Sequence, residues 1–205
     1  MFLGEKPVVV DVPIKIFHER ASIIIEPGRN LKILERELEK QRRYLFYHGK
    51  ECYEIGRHED ALNSLKRYLE VSKWTAEKCE ALVMMAKCKV SLGFTEDAKD
   101  LCLQTIKIEP NFAPAHNYLG QIAMVQGDYH SAVMWLENAL KVKDINYVFD
   151  ERMDTKFNCY GNLIIAYHKV GDVSAARMAV IKAQQISPDS EWIKDQVRIC
   201  DGEND

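Results

Sequence analysis

Four glycines constrain this chain more than any other feature. Gly56, Gly93, Gly127 and Gly171 each have an alanine five residues later, at Ala61, Ala98, Ala132 and Ala176. Seven residues before them stand Gly49, Ala86, Gly120 and Ile164, and nine after stand Leu65, Cys102, Leu136 and Val180. Tyr68, Thr105, Ala139 and Ala183 follow at twelve, and Lys73, Pro110, Asp144 and Pro188 at seventeen. The columns have a steric reading. A glycine ends one helix in a conformation few other residues adopt cheaply. Small residues let a second helix approach closely, large apolar ones fill the seam, and proline closes the second helix. The fullest copy is NFAPAHNYLGQIAMVQGDYHSAVMWLENALKVKD, from Asn111 to Asp144. In this register the repeats are 42–75, 79–112, 113–146 and 157–190, the second and third abutting without a spacer. The expected fold class is all-α, a superhelix (solenoid) of antiparallel helix pairs, each pair covering its apolar face with its neighbours.

The start of the chain reads differently. Val8–Val10, Ile14–Phe17 and Ile23–Ile25 are β-branched or aromatic runs broken by Pro13, so residues 8–26 are expected to form short strands ahead of the solenoid. So few short strands cannot support themselves and must lean on another element. Pro27 and Gly28 then punctuate, dividing the chain into a strand segment, 1–28, and a helical domain, 29–205. Asn30 is placed to cap a helix from Leu31 to about Gln41. After Pro188, a last helix over 190–200 offers Trp192, Ile193, Val197 and Cys200 to cover the fourth repeat. The spacer residue Trp74 reads as a wedge between repeats. Residues 147–156, YVFDERMDTK, are an insertion that either lengthens the next helix or loops out, carrying Tyr147 and Phe149 back onto the solenoid.

Charge and cysteine usage narrow the function classes. A net charge of -3 gives no general attraction to nucleic acid or to an anionic membrane. No apolar run is long enough to span a bilayer, and the first residues carry Glu5, Lys6 and Asp11, unlike a signal peptide. The six cysteines include no C-x-x-C pair, and Cys102 occupies a column otherwise held by Leu65, Leu136 and Val180. Free, packed thiols in a reducing cytoplasm are the expectation. Motifs for nucleotide binding, zinc proteolysis and serine hydrolysis do not occur, and no cofactor is expected. His48 and His116 fall in packed columns, whereas His58 and His130 fall near the turns. Asp150, Glu151 and Asp154 cluster in the insertion without a histidine to complete a metal site.

What remains is a surface. First-helix residues pointing away from the partner helix are, by period, Phe46, Tyr47, Lys50 and Tyr53, then Val83, Met84 and Lys87. The face continues through Asn117, Tyr118, Gln121 and Met124 to Asn162, Ile165 and His168. An apolar and aromatic groove with a few amides suits a protein or peptide, an adjacent domain or a second copy of the chain as a homodimer. Large apolar side chains there either await such a partner or pack on one another.

A helix–turn–helix period of this length is the tetratricopeptide (TPR) signature, and residues 42–190 resemble that family. The resemblance implies an interaction scaffold. Family members that grip the C-terminal EEVD of chaperones do so with Lys, Asn and Arg along the groove. The matching positions here are Phe46, Lys50, Met84, Pro114 and Tyr118, of which Lys50 alone is of that type. A second likeness runs through VPIKIFHE, RNLKILERELEKQRRYLFYHGKECYEIGRHEDALNSLKRYLEVSKWTAEKCEALVMMAKC and EPNFAPAHNYLGQIAMVQGDYHSAVMWLENAL. These resemble the C-terminal part of bacterial family-2 glycosyltransferases, in which TPR repeats follow a nucleotide-sugar-binding domain. That resemblance implies that residues 1–28 are the tail of a catalytic domain and that His18 helps to hold its divalent metal. The family's D-x-D motif is not in this sequence.

Overall fold

The computed structural model describes residues 44–142 and 152–201. The strand runs of residues 8–26, His18 and the Leu31–Gln41 helix lie outside them. Every regular element among the described residues is a helix. In order these are α1 (Tyr44–Glu54), α2 (His58–Val71), α3 (Thr75–Ser91), α4 (Thr95–Ile108), α5 (Ala113–Val125), α6 (Tyr129–Lys141), α7 (Arg152–Val170), α8 (Val173–Ile186) and α9 (Glu191–Asp201). The helices pair as the glycine register predicts: α1 with α2, α3 with α4, α5 with α6, α7 with α8.

Each pair is joined at its glycine. Gly56, Gly93, Gly127 and Gly171 have φ between 78° and 85°, a left-handed conformation that any Cβ would strain. One bond recurs at every turn: the amide after the glycine donates to the carbonyl five residues earlier, as in Arg57 to Cys52 (2.8 Å) and Asp172 to Tyr167 (2.9 Å). It satisfies a carbonyl the helix end would otherwise orphan. The helices beyond the turns start in two ways. Asp128 and Asp172 cap α6 and α8, accepting from the amides of Ser131 (3.1 Å) and Ala175 (2.9 Å). Arg57 and Phe94 offer α2 and α4 no such bond, and acidic first turns (Glu59 and Asp60, Glu96 and Asp97) face the helix dipole there instead.

The seam inside each pair is built from two of the sequence columns. A Cβ placed on Gly49 would lie 2.6 Å from Leu65 Cγ, and one on Gly120 the same distance from Leu136 Cγ. Ala61, Ala98, Ala132 and Ala176 are fully buried beside them. Where the first two pairs meet, the Tyr68 hydroxyl donates to the buried carboxylate of Glu77 and accepts from Ser72 Oγ at 2.9 Å.

Two boundaries differ from the sequence register. Helix α3 begins at Thr75, ahead of the expected 79, because Thr75 to Lys78 continue the helical backbone from Trp74. Trp74 is no wedge: it precedes the helix and is 53% exposed. Helix α7 begins at Arg152, so that part of the insertion lengthens the fourth repeat's first helix, while residues 147–151 lie outside the described residues. After Pro188, α9 closes the stack with Ile193 fully buried and Val197 packed on the same cluster as α7 and α8.

The first helices of successive pairs also touch: α1 with α3, α3 with α5, and α5 with α7. No two second helices among α2, α4, α6 and α8 come into contact. A layer of closely spaced first helices under a layer of splayed second helices curves toward the first. The first helices therefore line the inner face.

Candidate functional site

On the inner face, three consecutive first helices enclose a recess of about 110 Å³. Helix α1 contributes Lys50, Tyr53 and Glu54, helix α3 contributes Glu80, Val83, Met84 and Lys87, and Pro114 of α5 closes it. The floor is apolar and aromatic, and the rim carries both signs of charge. Lys50 Nζ lies 3.8 Å from Glu54 Oε1, one helical turn along.

Of the residues predicted for this face, Lys50, Tyr53, Val83, Met84 and Lys87 come together here. Tyr47 is half-buried, its ring edge-on to Phe46 with centroids 5.5 Å apart, and it packs on the same cluster as Met84. Phe46 does not belong to the face. It is fully buried against Tyr68 of α2, because an aromatic ring at that point of α1 is needed to fill the seam beside Leu65. Asn117 is buried too. Further along the face, Tyr118 and Gln121 are half-buried. Burial pushes the Tyr118 phenol up, with the nearby Tyr53 adding to the effect. Met124 packs against the core of the last two pairs, while Ile165 stands 39% exposed. The face therefore divides into a recess around Met84 and a stretch around Tyr118 in which the large side chains cover one another. Sequence reasoning missed Glu54 and Glu80. Their signal was spacing, since each lies four residues from a recess residue of its own helix, Lys50 and Met84.

The groups that could carry chemistry are occupied with packing. His48 Nδ1 shares a 2.8 Å hydrogen bond with Ser64 Oγ across the first pair, and His116 Nε2 donates to the Pro110 carbonyl at 2.9 Å. Cys52, Cys79, Cys88, Cys102 and Cys159 are free and buried. Burial pushes the thiols of Cys79 and Cys88 up to about 11 and those of Cys102 and Cys159 up to about 12. At neutral pH these are protonated core side chains, not nucleophiles. Among the described residues no cluster of His, Cys, Asp and Glu could hold a metal ion. Nor is any helix there long and apolar enough to cross a membrane.

No protein-family model and no curated protein matches the sequence. Solved structures do match the fold. The crystal structure of MamA superposes with a TM-score of 0.60 at 20% identity, over 77% of this chain and 86% of MamA. The C-terminal part of a TPR repeat-containing protein from Cytophaga hutchinsonii gives 0.64 at 12% identity, over 83% of this chain and 63% of that one. Cut9–Hcn1, a hetero-tetramer of the APC/C, gives 0.69 at 14% identity, covering 87% of this chain and 33% of the matched one. The fold is a TPR solenoid. Identities this low establish the architecture and leave the ligand to be argued from this chain's own surface.

Proposed function

We propose that the chain is a TPR adaptor whose inner face binds a protein or peptide through the recess between α1, α3 and α5. The recess carries this reading: it joins an apolar floor to a charged rim and is built by three repeats at once, so that a bound segment would read their spacing. A partner side chain of apolar character would enter between Tyr53, Val83 and Met84, with Lys50 and Lys87 beside it. The match to a hetero-tetrameric assembly supports the reading only as precedent for the architecture. Nucleic acid is a poor fit to a rim of mixed charge on a chain of net charge -3. The buried free thiols suit a reducing compartment, and we place the adaptor in the cytoplasm, away from the membrane.

The test is charge reversal at the rim. With the full chain immobilised, Lys50→Glu with Lys87→Glu should abolish retention of the partner identified by mass spectrometry, and the melting temperature should barely move because both lysines reach solvent. Retention of the same partner by the variant would exclude the recess. A concentration-dependent dimer mass in light scattering, lost in the variant, would make the partner a second copy.

A second reading rests on the likeness of the three quoted segments to bacterial family-2 glycosyltransferases. It makes residues 1–28 the tail of a catalytic domain and residues 29–205 its accessory repeat domain. His18 would then belong to that domain's divalent-metal site. One histidine outside the described residues does not make such a site, which needs several ligands, and no catalytic step is assigned to this chain. A D-x-D-bearing α/β domain encoded upstream of Met1 would favour this reading, and its absence from the parent frame would remove it.

A further inference from the structure

The outer side of the solenoid carries a larger trough. Its floor is α7 and its walls are α6 and α8, and it encloses about 370 Å³. That is the size of a small ligand pocket, which typically spans about 300–1,000 Å³. Leu140, Tyr160, Leu163, Met178 and Ala179 give it an almost wholly apolar lining. Met178 itself is 58% exposed.

The repeat register sets this trough against its counterpart in the second repeat. A smaller hollow lies at the same columns of the second repeat, between α3 and α4. Two positions stay apolar, Met85 and Leu101 there, Leu163 and Ala179 here. The others change: Lys89, Asp97 and Asp100 of the second repeat are replaced by Tyr167, Ala175 and Met178, and Gln104 by Lys182. A hollow lined with ions can stay open to water, whereas an apolar trough of this size loses free energy by doing so.

Its charges are uneven. Glu137 on the α6 wall is already matched, by Lys141 Nζ at 2.7 Å and by the Tyr167 hydroxyl, which donates to it at 2.7 Å. Lys182 on the opposite wall makes no ion pair among the described residues. Among the described residues the trough thus offers one positive charge without an ion-pair partner beside its apolar floor. From Ala175 to Lys182 the α8 wall runs roughly 10 Å, two turns of a helix.

We propose that this outer trough is a second docking site, for an amphipathic helix of a partner protein that inserts apolar side chains at i, i+3 and i+7 and sets a carboxylate against Lys182. It is independent of the inner-face recess, from which it differs in helices, residues and charge. A helix laid between α6 and α8 fills the gap that the splayed second helices leave, using the helix-in-groove mode.

The probes are synthetic helical peptides of about sixteen residues, labelled for fluorescence anisotropy, with Leu at i, i+3 and i+7. One carries Glu on the flank, one Lys, and one scrambles the first. The full chain should bind the Glu peptide in preference to the Lys and scrambled peptides. Met178→Glu should weaken binding about tenfold or more, as expected of a central apolar anchor, and Lys182→Glu should reverse the preference between the Glu and Lys peptides. Lys50→Glu with Lys87→Glu should change nothing, separating this site from the inner face. Equal binding of all three peptides, or binding unaffected by Met178→Glu, overturns the proposal. So does a peptide-free dimer that Met178→Glu dissolves, which would make a second copy the occupant. Binding seen only after Tyr147→Ala with Phe149→Ala overturns it too, since the chain would then fill its own trough.

Discussion

The helix seams of the first and third pairs are built differently from those of the second and fourth. In the first and third, glycine faces leucine: Gly49 against Leu65, Gly120 against Leu136. In the second the same columns hold Ala86 and Cys102, and in the fourth Ile164 and Val180, all buried. The leucine seams leave no room for a Cβ, and the alanine–cysteine seam has traded one side's volume for the other's. In the first three pairs the seam columns thus specify a shared volume more than a residue type, whereas the fourth buries a large β-branched residue on both sides.

The largest expected effect comes from emptying a leucine seam. Leu136 is fully buried opposite a residue with no side chain, so nothing can swing in to fill the space. Leu136→Ala should cost about 2–5 kcal/mol, the range for buried leucine truncation. Cys102→Ala, the same column opposite an alanine, should cost only about 1 kcal/mol, near the middle of point-mutation effects. Urea midpoints compare the two, and equal shifts would mean that the seams are not distinct.

Overfilling should cost less and can be reversed. Gly120→Ala places a methyl 2.6 Å from Leu136 Cγ and should destabilise by about 1–3 kcal/mol, despite alanine's better helix propensity. Adding Leu136→Cys recreates the second pair's alanine–cysteine seam and should recover most of the loss, a coupling a double-mutant cycle measures. Gly161→Ala is the control: its nearest neighbour, the Trp192 ring, is 3.5 Å away, so the substitution should be neutral or stabilising. A single Gly120→Ala variant as stable as the wild type would show that the close approach has slack.

These seams were legible in the sequence because steric demands recur at fixed offsets. Gly127 has φ +78° and its column is glycine in all four repeats, and the close approach of Gly120 to Leu136 recurs at Gly49 and Leu65. The inner face was only partly legible. Period placed Phe46 and Lys50 on one surface, but Phe46 turns into the seam against Tyr68 while Lys50 reaches the recess. A helix's apolar arc is wide enough that one position of offset separates core from groove. The outer trough left no sequence signal of its own, since Met178 reads as an ordinary apolar residue until the fold sets it beside α6. The likeness to TPR structures has a physical basis in these columns.

The smallest expected effect distinguishes the pairs by their helix starts. Asp128 caps α6, and the hydrogen bonds it accepts from Ser131 hold its carboxyl below the usual aspartate value. A lowered folded-state pKa means the cap stabilises fully above the ordinary aspartate range near 4 and loses that contribution as pH falls through the depressed value. Asp128→Asn keeps a cap acceptor at every pH, because asparagine caps nearly as well and does not titrate. The wild type should therefore lose ground to the variant as pH is lowered from about 6 to about 2. The second pair cannot show this dependence at its own cap position, where Phe94 makes no side-chain bond. Urea midpoints of the two proteins across that range test the point. A difference that stays constant with pH would mean that the Asp128 carboxylate does not sense the helix end, and that α6 starts as α4 does, without help from its cap.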